Sequence, residues 1–193
     1  MNKIELLNAL DNVDASRDGR DRMAAMVLAD PPIFKVLLHL AMQPGHPAGY
    51  KAFWVLERVV LQDLALLLPH LDTFLAGLPA LNKPQAVRPA AKICELLLTT
   101  QQRQHRDTGP KLLQKKHLSA LTAICFDWLL GDAKVAPKAY AMTCLHLLGE
   151  QQPWIHPELK VILERDMPLA SAGYRARAKN ILKKLKAQRE WRH

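Results

Sequence analysis

Four long basic residues recur at the start of apolar helical segments, and a cation in such a place can bind a phosphate or a carboxylate. Each follows a small residue two positions earlier and precedes apolar residues with helical spacing. The four are Lys51 in AGYKAFWVLERVVL, Arg88 in QAVRPAAKICELLL, Lys138 in VAPKAYAMTCLHLL and Arg175 in SAGYRARAKNILKKL. A cation in the first helical turn opposes the helix dipole by about 0.3 to 1 kcal/mol, so some interaction must offset that cost.

Two interpretations of these four cations stay open. In the structural one, each cation reaches an acid or a helix C-terminus in the adjoining segment, and Asp72, Asp127 and Asp166 are the candidate acids. In the functional one, the four cations form a basic stripe that meets phosphates or acidic side chains of a partner.

The C-terminal segment carries most of the net charge of the chain. Between Arg175 and Arg192 lie eight basic residues and one acid, Glu190. On a helix, Lys179, Lys183 and Lys186 share one face, opposite an apolar stripe made of Ala178, Ile181, Leu182 and Leu185. The segment is either a solvated capping helix or an anion-binding surface. The candidate binding residues are therefore Lys51, Arg88, Lys138, Arg175, Lys179, Lys183 and Lys186.

The elements that position these residues are predicted to be helices throughout, because apolar residues return at three and four positions and strand-like alternation is missing. Prolines and glycines divide the chain into roughly nine or ten short helices. The aligned motifs indicate an internal repeat whose middle interval is longer than the other two. The polar stretch TTQQRQHRDTGPK, residues 99 to 111, explains the difference as a loop insertion.

Each repeat holds a second helix, within LALLLPHLDTFLAGL, LLQKKHLSALTAICFDWLL and PELKVILERDM. A two-helix unit of this length without the tetratricopeptide pattern resembles a HEAT-like array over residues 31 to 188. The resemblance implies an all-α fold, a right-handed α-α superhelix of about four helix pairs. It also implies one domain over residues 1 to 193, with capping helices in 1 to 30 and a basic capping helix in 171 to 193. The column Ala91, Ala141 and Ala178 would then allow close helix packing.

By the same resemblance the chain is a non-catalytic binding or scaffold module for a protein or nucleic-acid partner. It has no glycine-rich phosphate loop, HExxH or GxSxG motif, and no cofactor is expected. HEAT-like folds also occur in alkylpurine DNA glycosylases, which pair an acid with tryptophans, and a DNA-binding or glycosylase role is the alternative. Asp127 and Trp128 in FDWLL offer both residue types, but adjacent residues point to different helix faces.

Small bacterial HEAT-like chains of this size are also similar, and some carry an adenylosuccinate lyase label. Lyases of that superfamily have longer subunits and a mobile loop with a Met-Pro-x-Lys-x-Asn run. Here Met167 and Pro168 are followed by neither the lysine nor the asparagine. The lyase activity is therefore not expected.

The net charge and the N-terminal segment indicate which partners and which cellular location to expect. A net charge of +9, from 27 basic and 18 acidic residues, favours anionic partners. The opening MNKIELLNALDNVD is amphipathic with early acids, which favours a cytoplasmic location over secretion, and no membrane span is expected.

Three separated cysteines in apolar runs, Cys94, Cys125 and Cys144, are expected to be buried, reduced and free of metal. Trp54, Trp128 and Trp154 are expected in the core, whereas Trp191 lies between basic residues.

Overall fold

Helices form every regular element in the part of the chain that the computed structural model describes, which is residues 1–43, 45–106 and 111–190. These residues contain ten α-helices and four short 3-10 turns, and no strand. The α-helices are α1 (Lys3–Asp11), α2 (Arg17–Ala29), α3 (Ile33–Met42), α4 (Gly49–Gln62), α5 (Leu71–Gly77), α6 (Pro84–Arg106), α7 (Lys115–Leu130), α8 (Val135–Leu148), α9 (Ile155–Asp166) and α10 (Ala172–Glu190). The all-α prediction is confirmed.

Side-chain caps explain where the first two helices begin. The Asn2 carboxamide accepts from the amides of Ile4 and Glu5 at 2.9 Å, and the Glu5 carboxylate accepts from the Asn2 amide at 2.9 Å. This capping box satisfies amides that have no partner inside α1. Ser16 caps α2 by accepting from the Gly19 amide at 3.0 Å. The segment from 1 to 30 therefore holds two helices, α1 and α2.

The chain divides into two compact units, Met1–Ile93 and Cys94–His193, and the division falls within α6. In the first unit, α4 packs against α2 and α3, and the fully buried side chains include Phe34, Phe53 and Phe74. In the second unit, α8 packs against α7, α9 and α10. Each unit therefore has an apolar core of its own.

The aligned motif begins every second helix from α4 to α10. Lys51 is the third residue of α4, Arg88 the fifth of α6, and Lys138 and Arg175 the fourth residues of α8 and α10. Three residues after the cation, Ala91, Ala141 and Ala178 have no exposed surface. Buried alanines let a neighbouring helix approach closely, as expected for this column.

The loop predicted for residues 99 to 111 is largely wrong. Helix α6 continues through Arg106, residues 107–110 lie outside the described part, and α7 begins at Lys115. Gln101 is buried within this extension, and its side-chain oxygen accepts from the Leu113 amide at 2.9 Å. Glutamine and arginine are good helix formers, so a polar composition alone did not indicate a loop.

The second helix of the first repeat is shorter than LALLLPHLDTFLAGL suggested. Two 3-10 turns, Leu64–Leu66 and Leu68–His70, precede α5, and a third, Leu78–Ala80, follows it. Pro69 and Pro79 each lie inside one of these turns. Proline cannot donate the backbone hydrogen bond that a continuous α-helix requires, so the apolar run breaks into short pieces.

Within the described residues, no single helix has the length and apolar composition needed to cross a membrane. A pair of helical segments meets those criteria only when the two are taken together. They are Gly49–Gln62 and Leu64–Ala80, and the chain bends by 118° between them.

Candidate anion-binding surface

Two of the aligned cations donate to backbone carbonyls at the ends of helical segments. The Lys51 ammonium donates to the carbonyl of Asp11, the last residue of α1, at 2.7 Å. The Arg175 guanidinium donates to the carbonyl of Ala170, just after the Met167–Leu169 turn, at 2.6 Å. Carbonyls at the end of a helix have no partner inside it, and a cation that binds one is favourably placed in the helix dipole.

Arg88 pairs with a buried acid that the sequence had not suggested. Its Nη1 donates to Oε2 of Glu57 at 3.2 Å, and the Glu57 residue is only 5% exposed. Burying a carboxylate is costly unless it is paired, so removing Arg88 would leave an uncompensated charge. The acceptor is on α4 and is none of the three candidate acids, Asp72, Asp127 and Asp166.

The charge of Lys138 acts on Asp166, one of the three candidate acids. The pKa of Asp166 is lowered, first by the hydrogen bond from Arg165 Nε at 2.7 Å. A hydrogen bond from the Tyr174 hydroxyl at 3.3 Å and the charge of Lys138 lower it further. Lys51, Arg88 and Arg175 therefore each bind a carbonyl or a carboxylate of their own unit.

Helix α10 separates its basic and apolar residues onto different faces. Tyr174, Ala178 and Ile181 are buried, and the side chains of Leu182 and Leu185 are half-buried. On the other side, Arg175, Lys179, Lys183 and Lys186 are exposed. We call these four residues the basic face. The structure thus brings Arg175 together with the three lysines, but Lys51 and Arg88 belong to the other unit.

Two histidines lie against each other between α8 and α9. The rings of His146 and His156 stack at 5.5 Å, and His156 Nε2 donates to the His146 carbonyl at 2.8 Å. Burial, the charge of His156 and the charge of Lys184 lower the pKa of His146 to about 4. His146 Nδ1 is buried and has no hydrogen-bond partner. A neutral His146 ring is therefore part of the folded core.

The three cysteines, which are far apart in sequence, come together in the second unit. All three are buried, as predicted. Burial and the nearby Cys144 hold the pKa of Cys94 well above its usual value. The pKa of Cys125 is lowered by a hydrogen bond with Cys144 but raised more by burial and by Cys94. Among the described residues, no group of three His, Cys, Asp or Glu side chains is placed to hold a metal ion.

The prediction that Trp154 lies in the core is wrong. Trp154 is 53% exposed at the start of α9, where its ring stacks on Phe126 with centroids 5.8 Å apart. Trp128 is buried, and Trp54 is half-buried with its indole nitrogen donating to the Gln85 carbonyl at 3.1 Å. Trp191 lies outside the described residues.

The acid and the tryptophan of FDWLL do not form one site. Asp127 is exposed, whereas Trp128 is 6% exposed and belongs to the core. The two side chains therefore point away from each other, as adjacent helical positions require.

A scan of protein-family models found no match to this chain, and neither did searches of curated proteins and of solved structures.

Proposed function

We propose that the chain is a non-catalytic binding module that recognises an anionic partner through the basic face of α10. The observation that supports this proposal is the separation of charge on α10, where four exposed cations follow one side of the helix, while Tyr174, Ala178 and Ile181 are buried on another. Like charges four residues apart destabilise a helix by about 0.2 to 0.5 kcal/mol. An anion bound along the face would remove this repulsion.

The length of the basic face favours a partner with several charges. Lys179 and Lys186 are seven residues apart, which corresponds to roughly 10 Å along a helix at about 1.5 Å per residue. A single phosphate can contact only part of this span, whereas a nucleic-acid backbone or an acidic peptide can contact all of it. Without a base-reading module in the sequence, we expect electrostatic binding with little sequence preference.

We further propose that the helix pairs form a HEAT-like α-solenoid, the fold suggested by the sequence. Two features support this: the aligned motif begins α4, α6, α8 and α10, and Ala91, Ala141 and Ala178 are fully buried. In such an array each repeat buries its apolar face against its neighbours, and the last helix keeps a polar outer face. The basic face would then be the outer surface of the last repeat.

The experiment compares two triple variants that lose the same net charge. One carries Lys179→Gln, Lys183→Gln and Lys186→Gln, and the control carries Lys35→Gln, Lys83→Gln and Lys115→Gln, all at exposed positions. Fluorescence anisotropy measures binding of a 20-base-pair DNA duplex and of a polyglutamate peptide at low ionic strength. At about 0.2 to 1 kcal/mol per surface ion pair, the first triple should weaken binding on the order of tenfold.

The control triple should weaken binding less than the first triple, because its lysines are scattered. Equal loss in the two variants would mean that overall charge, and not the basic face, determines binding. If the wild-type chain binds neither probe at low salt, the proposal is wrong. The relative affinities for DNA and polyglutamate identify the class of partner.

A further inference from the structure

An open groove lies between α8 and α10 in the second unit, and the four residues of the basic face are not among those that line it. Its volume is about 670 Å³, within the range of about 300 to 1,000 Å³ that small-molecule sites occupy. Ala136 and Ala139 of α8 and Ala176 of α10 are among the residues that line it. Because alanine has so little side chain, these positions leave room for a ligand close to both helices.

One wall of the groove carries three polar side chains. Arg177, Asn180 and Lys184 line it, at spacings of three and four residues that place them on one side of α10. An amide, a guanidinium and an ammonium together supply many hydrogen-bond donors. Among the residues that line the groove, all of them in the described part of the chain, none is acidic.

Arg177 is held in position by its neighbours. Its Nη1 donates to the Thr143 hydroxyl at 2.7 Å and lies 3.7 Å from Oε1 of Glu95. Both contacts use one nitrogen of the guanidinium, so other N–H groups can still donate to a ligand. A donor that is already oriented loses less conformational entropy when a ligand binds.

The electrostatics of the groove also favour an anion. Lys184 is exposed, and its charge contributes to the low pKa of the buried His146, after burial and His156. Glu95 offsets part of the Arg177 charge but does not line the groove. The groove therefore combines a basic polar wall with an apolar surface.

We infer that this groove binds a small amphiphilic anion, a molecule that carries a carboxylate, sulfonate or phosphate on an apolar body. The anionic group contacts Arg177, Asn180 and Lys184, and the apolar body packs against Ala136, Ala139 and Ala176. The site differs from the basic face in its residues, because Arg175, Lys179, Lys183 and Lys186 are not among the residues that line the groove. The inference does not depend on the proposed function.

The test uses 8-anilinonaphthalene-1-sulfonate, whose sulfonate and aromatic body match this class of ligand and whose fluorescence rises in an apolar site. The folded wild-type chain should enhance the fluorescence saturably, and decanoate should displace the dye. Decanol, with the same chain but no charge, should displace it much less at equal concentration. Absence of saturable enhancement, or equal displacement by decanoate and decanol, would overturn the inference.

Two neighbouring lysines supply a matched pair of variants. Lys184→Gln should weaken dye binding by roughly fivefold, because one ion pair in a partly exposed site is lost. Lys183→Gln removes the same charge from a residue that does not line the groove and should leave dye binding within twofold of wild type. Equal effects of the two variants would show that the dye does not bind in the groove.

A third variant fills the groove. Ala176 is exposed and leucine is a good helix former, so Ala176→Leu should keep the fold, and circular dichroism verifies this. The larger side chain should abolish dye binding. Full dye binding by a folded Ala176→Leu chain would contradict the inference. The triple variant of the basic face includes Lys183 but not Lys184, so it should retain dye binding even if it loses DNA or polyglutamate.

Discussion

Replacing Gly149 by alanine should destabilise the second unit, although this glycine has an ordinary backbone conformation. Gly149 follows α8 with a φ of −64°. A methyl group there would lie 2.8 Å from Cγ of His156 and closer still to two other ring atoms. Because φ is unstrained, Gly149→Ala without a clash should stabilise the fold by about 0.4 to 1 kcal/mol. The sign of the effect therefore depends on whether the His156 ring can move.

The contacts of His156 indicate that moving its ring is costly. The ring donates to the His146 carbonyl, which lies in the last turn of α8, where carbonyls have no partner inside the helix. Losing this bond costs about 0.5 to 1.5 kcal/mol, and forcing a methyl group into a packed site costs about 1 to 3 kcal/mol. After subtracting the gain from alanine, we expect Gly149→Ala to lower the free energy of unfolding by about 0.5 to 4 kcal/mol.

Urea denaturation of a double-mutant cycle tests this reasoning. In a His156→Ala background the clash is absent, so adding Gly149→Ala should be neutral or stabilising by up to about 1 kcal/mol. The coupling energy between the two positions should be on the order of 2 kcal/mol. The reasoning is refuted if Gly149→Ala alone is as stable as wild type. It is also refuted if the destabilisation is the same in both backgrounds.

Two further predictions concern buried titratable groups. Folding lowers the pKa of His146 from 6.5 to about 4, so between these pH values the unfolded chain binds the proton more readily than the folded chain. The free energy of unfolding should therefore be highest above pH 6.5 and should fall as the pH falls towards 4. Urea denaturation at several pH values should show this loss in the wild type, about 3 kcal/mol larger than in the His146→Leu variant. Parallel pH profiles of stability in the two chains would contradict this. Thiol titration should label Cys94, Cys125 and Cys144 slowly in the native chain and quickly in denaturant, because they are buried and the pKa values of Cys94 and Cys125 are raised. Fast native labelling of all three would contradict their burial.

Periodicity was sufficient to predict the helical class and the buried small residues, because both depend on residues three and four positions apart. Ala91, Ala141 and Ala178 were identified by aligning the repeats, and all three are fully buried. The exposure of Trp154 was not predictable in the same way, since it precedes α9 and no periodic helical face includes it. An aromatic residue just after a proline is a signal that could have placed it in a turn.

Contacts between distant residues could not be predicted from one sequence. The expected position of Arg88 in a first helical turn, where a cation opposes the dipole, indicated that it needs a partner. Glu57 of α4 became that partner only through the folding of the chain. The three cysteines likewise meet because their helices pack together. From the sequence, Arg177 and Lys184 were identified only as two of the basic residues of the C-terminal segment. Asn180 lies three residues after Arg177 and four before Lys184, and this helical spacing was the available signal that the three residues line one groove.

The salt dependence of polyanion binding tests the central claim, that the basic face of α10 binds the partner. For the wild-type chain and a DNA duplex, log K should fall linearly with log salt concentration. Neutralising Lys179, Lys183 and Lys186 should make the slope shallower by up to about 2 to 3, at about 0.7 to 0.9 for each phosphate contact. The control triple at Lys35, Lys83 and Lys115 should leave the slope nearly unchanged. A slope that is the same in the wild type and in the basic-face variant would contradict the claim.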